Sequence, residues 1–136
     1  MTSSDLLVLD THIWVWWVNQ DERLAHDLRE VIAKAGRVCV SASSVYELVQ
    51  AVVRGRLKLT LPISEWLECA TRGAGIEVIP IDALIAEGGA RLPQVHGDPL
   101  DRLIIATAVA YQARLMSQDG KFLSYPELDD LLISPG

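Results

Sequence analysis

Four consecutive apolar residues, Leu6 to Leu9, run straight into Asp10. A strand with one face in water alternates apolar and polar side chains. A short run without alternation needs cover on both faces, as an interior strand has in a parallel sheet sandwiched between helices. Three more runs of strand type follow: Arg37-Val-Cys-Val40, Glu77-Val-Ile-Pro-Ile81 and Arg114-Leu-Met-Ser117. The proline in the second of these places it at a sheet edge or at a strand's end. Segments of helical period lie between the runs. They cover residues 12–18, 21–35 (Leu24, Leu28, Val31 and Ile32 on one face, stopping at Gly36), 44–54 (ending at Gly55) and 62–71 (ending before Gly73 and Gly75). Residues 82–92 read as a helix weakened by Gly88-Gly89, and residues 98–113 as the strongest helix of the chain. The tail beyond Ser124 carries no clear period. Strands alternating with helices predict an α/β fold of three layers, α/β/α, around a central parallel sheet of four or five strands. Without repeats, linkers or low-complexity segments, residues 1–136 read as one domain, and a chain of this length with half its residues hydrophobic can bury a proper core.

The apolar stretches around residues 13–18 and 103–111 fall well short of the roughly 18 residues that cross a bilayer, so no membrane association is expected. Met1-Thr-Ser-Ser-Asp5 has no basic start, which argues against a secretory signal and for the cytoplasm. The two cysteines, Cys39 and Cys69, make neither a disulfide framework nor a zinc motif and read as small core residues. A net charge of −6 excludes a protein that holds nucleic acid by a broad basic face. Any nucleic acid must be gripped locally, by bound divalent metal or by small basic groups such as Arg54, Arg56 and Lys58, with Arg102 beside an acidic segment. One helix face cannot bury Trp14, Trp16 and Trp17 together, so at least one of them is expected to meet a partner or another subunit.

The acidic residues carry the chemistry. Asp10 stands where a buried strand ends, the place at which doubly wound sheets present ligand-binding carboxylates; it would also serve as the N-cap of the next helix. Glu47 closes Ser44-Val-Tyr-Glu47, a capping-box pattern in which the glutamate folds back onto the cap, and locally that reading leads. Asp98 followed by Pro99 fits a helix start, with Asp101 at the third helical position about 5–6 Å away on the same face. Asp101 heads a helix apolar enough to bury it at least in half. Asp119 follows a strand and precedes a glycine, so it is either a turn residue or a further ligand. Asp82 reads as a helix cap, and His12 as a packed or capping histidine.

Two carboxylates about 4 Å apart repel by about 4 kcal/mol at an effective dielectric of 20, so several of them converging on one crevice need a cation. A hard divalent ion with oxygen ligands meets that need, and such a site suits hydrolysis of a phosphodiester. No pair of histidines or cysteines has zinc-ligand spacing.

Taken in order, Leu-Asp10-Thr-His, Ser-Val-Tyr-Glu47-Leu with Arg54-Gly-Arg-Leu57, His96-Gly-Asp-Pro-Leu-Asp-Arg-Leu-Ile-Ile-Ala-Thr-Ala108 and Ser117-Gln-Asp119 resemble the PIN-domain ribonucleases, specifically the VapC-type toxins of bacterial toxin–antitoxin pairs. The resemblance spans the chain, and its most specific part is the aspartate-rich helix start with its Ile-Ala-Thr-Ala continuation. It implies a PIN-like fold and a Mg²⁺- or Mn²⁺-dependent endoribonuclease. Asp10, Glu47, Asp101 and Asp119 would be the metal-binding and catalytic carboxylates. Asp98 would be an additional ligand, a cap or both, and Thr11 and Ser117 supporting hydroxyls. It also implies an RNA substrate, a homodimer and a small cognate antitoxin that occludes the site.

Two other readings compete. A receiver-type signalling domain also has an acidic crevice on a parallel sheet, but requires paired acidic residues after the first strand, where this chain has Asp10 alone. A PIN fold retained as a non-catalytic RNA-binding module would be betrayed by an absence of metal binding.

Overall fold

A computed structural model of the chain describes residues 5–93, 97–118 and 120–135. Five strands, β1 (Leu6–Leu9), β2 (Arg37–Ser41), β3 (Ile76–Ile79), β4 (Arg114–Met116) and β5 (Leu132–Ile133), form one sheet in the order β3-β2-β1-β4-β5, with every neighbouring pair parallel. Helices α1 (Thr11–Asn19) and α2 (His26–Lys34) connect β1 to β2. Helices α3 (Ala42–Val53) and α4 (Ile63–Ala70) connect β2 to β3, and α5 (Ala83–Ala90) and α6 (Pro99–Tyr111) connect β3 to β4.

The unbroken apolar run is the centre of this sheet. All four β1 residues are buried, and their side chains alternate between two cores. Leu6 and Val8 pack with Ile85 of α5 and with Ile104, Ile105 and Ala108 of α6. Leu7 and Leu9 pack with Ile13 and Trp14 of α1, Leu28 and Ile32 of α2, Leu48 of α3 and Trp66 of α4. The result is the expected three-layer α/β/α arrangement, and each such side chain stabilises it by about 1.5–3 kcal/mol. Trp14 is wholly buried: its indole N–H donates to the Ala70 carbonyl at 3.0 Å and its ring meets Trp66 edge-on, tying α1 to α4. Trp16 and Trp17 remain partly exposed.

Helix α2 begins later than its period suggests. Asp21 accepts from the backbone N–H and the guanidinium of Arg23, and its carbonyl accepts from the Leu24 N–H, so this stretch is spent on a turn. Strand β3, with Pro80 just beyond it, lies at a sheet edge as expected. The other edge is β5, two residues drawn from the tail. Cys39 is buried, and burial pushes its thiol up to about 12; Cys69 is exposed, so the core reading holds for the first cysteine and fails for the second.

From β1 the chain moves outward through β2 to β3, then returns to the other side of β1 for β4 and β5. The direction reverses between β1 and β4, and at such a reversal the helices leave in opposite senses and open a crevice at the carboxyl ends of the strands.

Candidate active site

Asp10 follows β1 at the mouth of that crevice. Its backbone N–H donates to the Met116 carbonyl at 2.9 Å, which extends the β1–β4 pairing by one step. Its Oδ1 accepts from the Thr11 N–H at 2.8 Å and its Oδ2 from the Ser117 hydroxyl at 3.0 Å. It is therefore both the N-cap of α1 and a fixed, buried carboxylate at 1 % exposure; the two readings of it are compatible. Ser117 is also buried, so the supporting hydroxyl expected from sequence is in place.

The capping box at Glu47 does not form. Helix α3 starts earlier, capped by Ser41, whose Oγ accepts from the Ser43 N–H at 3.0 Å. That shift moves Glu47 into the second turn, out of reach of the cap. Its Oε1 instead lies 2.7 Å from the Thr11 hydroxyl, which is also 2.8 Å from the Ser44 hydroxyl. An ionised carboxylate can only accept, so the Thr11 proton points to Glu47 and Ser44 supplies the other contact. Thr11 thus couples α1 to α3 and aims a half-buried carboxylate.

Helix α6 starts as read, with Asp98 as N-cap accepting from the Leu100 N–H at 2.8 Å and Pro99 in the first turn. Asp98 is exposed and engaged as a cap. Asp101 is more enclosed, its side chain 18 % exposed. Burial pushes the Asp101 carboxyl above its ordinary value, the charge and hydrogen bond of Lys121 pull it down, and the charges of Asp10 and Glu47 push it up again. Three expected carboxylates therefore act on one another across the crevice.

Lys121 is the residue that sequence reasoning missed. Its Nζ lies 3.1 Å from Asp101 Oδ1 and 3.4 Å from Asp10 Oδ1, between carboxylates from two different elements. The available signal was charge balance, since Lys121 is the one lysine in the segments that carry the carboxylates.

Asp119 and His96 lie outside the described residues. Among the described residues, no group of three histidine, cysteine or carboxylate side chains closes around an ion by itself. The donors nonetheless fit a hard divalent cation: they are carboxylate oxygens, Asp10 buried and Glu47 and Asp101 partly so, and two of the groups already share a positive charge. Asp82 caps α5 by accepting from the Ile85 N–H at 2.9 Å, as expected.

Arg54, Arg56 and Lys58 are exposed and line a groove of about 700 Å³ that runs past Thr11, Glu47 and Asp98. Arg102 does not join them. Its guanidinium donates to the carbonyls of Gly89, Ala90 and Leu92, so the expected RNA contact is instead a cap on the C-terminal end of α5. His12 is neither packed nor capping; it is exposed, its ring 5.9 Å from that of Trp16, beside a small recess shared with Asp10 and Gln118.

Over residues 7–128 the sequence matches the PIN domain family. It is similar to Ribonuclease VapC22 of Mycobacterium tuberculosis, with 31 % identity over 120 residues, or 88 % of this chain and 91 % of that protein. Its fold is similar to that in VapBC2 of Rickettsia felis bound to a DNA fragment from its promoter, with a TM-score of 0.70, 23 % identity and coverage of 95 % and 98 % of the two chains. A toxin–antitoxin complex from Klebsiella pneumoniae gives a TM-score of 0.66, 21 % identity and coverage of 96 % and 98 %. At these identities the two structures speak to the fold.

Proposed function

The chain belongs to the PIN-domain family as a metal-dependent endoribonuclease of the VapC toxin type, and from that premise we propose that Asp10, Glu47, Asp101 and Asp119 hold a Mg²⁺ or Mn²⁺ ion for RNA cleavage. The observation that carries this reading is the meeting of Asp10 and Asp101, remote in sequence, at a single ammonium group. Buried carboxylates that share a cation are poised to exchange it for a stronger one. When bound, a divalent ion lowers the pKa of a water at the crevice and offsets charge on the phosphate.

The remaining work falls to the chain. Ser117 and the Thr11 N–H hold the two Asp10 oxygens, so that carboxylate has no freedom to rotate away. Thr11 holds Glu47, and the rigid start of α6 presents Asp101. Such preorganisation spares the reorganisation that flexible ligands would undergo at each turnover. Hydrolysis adds water across the phosphodiester, releasing a 3′ hydroxyl and a 5′ phosphate. Arg54, Arg56 and Lys58 steady the strand in the adjoining groove. The receiver-type alternative falls with the family match.

The likeness to VapBC complexes supports a protein antitoxin as partner. The resemblance to VapC-type toxins implies a homodimer, and Tyr46 and Val53, exposed seven residues apart on one face of α3, offer it an apolar surface. Among the described residues no helix is long and apolar enough to cross a membrane, which is consistent with action in the cytoplasm.

The test is cleavage of total RNA with Mg²⁺ or Mn²⁺, against EDTA, Asp10→Asn and Asp101→Asn, with circular dichroism to verify folding. Discrete fragments that vanish with EDTA and fall by at least about 100-fold in each folded variant are expected. Undiminished cleavage by both variants sinks the carboxylate assignment. Absence of both metal binding and cleavage returns the chain to the class of non-catalytic RNA-binding modules.

A further inference from the structure

The crevice contains its own cation. Lys121 Nζ approaches one oxygen of each of two carboxylates, Oδ1 of Asp10 and Oδ1 of Asp101, at 3.4 and 3.1 Å. These groups are shielded from water, with side-chain exposures of 27 % for Lys121, 18 % for Asp101 and 1 % for Asp10, so the attraction is weakly screened. A divalent ion binds carboxylate oxygens at roughly 2.0–2.6 Å. An ion on these same two oxygens would lie in contact with the ammonium, and two cations do not share that space.

The anchoring of Lys121 suits a group that leaves and returns. The next residue, Phe122, is 1 % exposed and packed in the α5–α6 core, and the Lys121 ammonium lies 5.1 Å from its ring centroid. The backbone is thereby pinned while the charge sits at the end of a four-carbon stem with many rotamers. An arginine fork would lock bidentately onto a carboxylate; a lysine is a point charge that releases more readily.

We propose that Lys121 is a resident counter-ion that holds Asp10 and Asp101 together before metal arrives and is displaced when the ion binds, so that it sets the metal affinity of this chain. The inference rests on the metal-site reading above. Its arithmetic is that of a binding-competent state populated only part of the time: a side chain occupying the crevice about nine-tenths of the time weakens apparent affinity about tenfold.

Titration of Mn²⁺ into the metal-free wild type, Lys121→Met and Lys121→Arg by calorimetry tests this. Lys121→Met is expected to bind about tenfold more tightly, and Lys121→Arg, whose fork holds the carboxylates harder, to bind more weakly than wild type. The metal-free Lys121→Met protein should melt lower than wild type and regain that loss with Mn²⁺, whereas a merely structural lysine would lower both melts and leave affinity alone. Displacement is read in the wild type itself by acetylation and peptide mass spectrometry, with exposed Lys34 and Lys58 as internal references. Lys121 should become several-fold more reactive when Mn²⁺ saturates the protein. Equal affinities, or a Lys121 reactivity that stays constant or falls with metal, overturn the proposal while leaving the metal site standing. Failure of wild type and Lys121→Met alike to bind Mn²⁺ overturns the metal-site reading, and this proposal with it.

Discussion

At the scale of single residues, hydroxyls decide where the carboxylates point. Asp10 is buried, and Ser117 donates one of its hydrogen bonds. Ser117→Ala removes that donor from an enclosed anion, and a hydrogen bond to a charged group is worth about 1.5–3 kcal/mol. Urea unfolding should register a loss of that size, with a parallel fall in metal-dependent cleavage. Ser117→Thr should retain most of both, since the hydroxyl survives; equal damage from the two substitutions would point to packing instead. Asp10 itself was legible, because a strand end and a helix start coincide there. At Glu47 the capping-box pattern misleads, although the residue itself reaches the crevice side of Thr11. Ser44 has the right spacing for a capping box, but Ser41 stands at the end of β2 and caps the helix first. Which of two serines caps a helix depends on where the preceding strand stops, and that is set by register with β1 and β3. Lys121 offered only its charge as a signal, since its partners belong to other elements and no spacing within its own segment announces them.

At the scale of elements, α5 and α6 make the most extensive helix–helix contact among the described residues, and Gly89 permits their close approach. Gly88 and Gly89 weaken the helical reading of their segment, yet both belong to α5 and form part of its last turn. A Cβ added at Gly89 would come within 3.3 Å of the Arg102 carbonyl oxygen and the Leu103 side chain, whereas one at Gly88 would meet the Ala106 Cβ at an ordinary 3.6 Å. The two alanine substitutions should therefore separate. Gly88→Ala gains part of the roughly 1 kcal/mol that the exchange brings in a helix interior, since the position lies in the last turn. Gly89→Ala forces the helices apart and costs about 1–3 kcal/mol. Thermal melts of the pair check this, and a Gly89→Ala protein as stable as Gly88→Ala would refute the close-packing account. Elements with strong internal signals were readable: the unalternating β1, the proline beside β3, and α6 with its Asp-Pro start. Strand β5 was not, because two residues carry no period and exist as a strand only by pairing with β4.

At the scale of the molecule, an acidic chain that cuts an acidic polymer must work through a few contacts. Three groove cations, Arg54, Arg56 and Lys58, correspond to a slope of about 2 in log KM against log salt for a single strand. Measurement of KM across a potassium chloride series, repeated with all three changed to alanine, should give that slope and then a flatter one. A slope well above 4 would reveal a basic surface elsewhere. The architecture could be read from sequence, as could the nearness of Asp10 and Asp101, because parallel sheets gather strand ends and helix starts at one rim. The exposure of His12, the diversion of Arg102 to α5 and the placement of Lys121 could not, because each depends on side chains meeting across layers.

The reversal of the sheet between β1 and β4 also bears on timing. Asp10 leaves the ribosome well before the serine that fixes it, which lies 107 positions later. Until β4 docks beside β1, Asp10 lacks both the Met116 carbonyl that continues its strand and the hydroxyl that orients its carboxylate. A nascent or truncated chain ending before that point carries the early acidic residues without the partners that organise them. The order of synthesis thus keeps the crevice unassembled until β4 and Ser117 have been made, long after the first of its carboxylates.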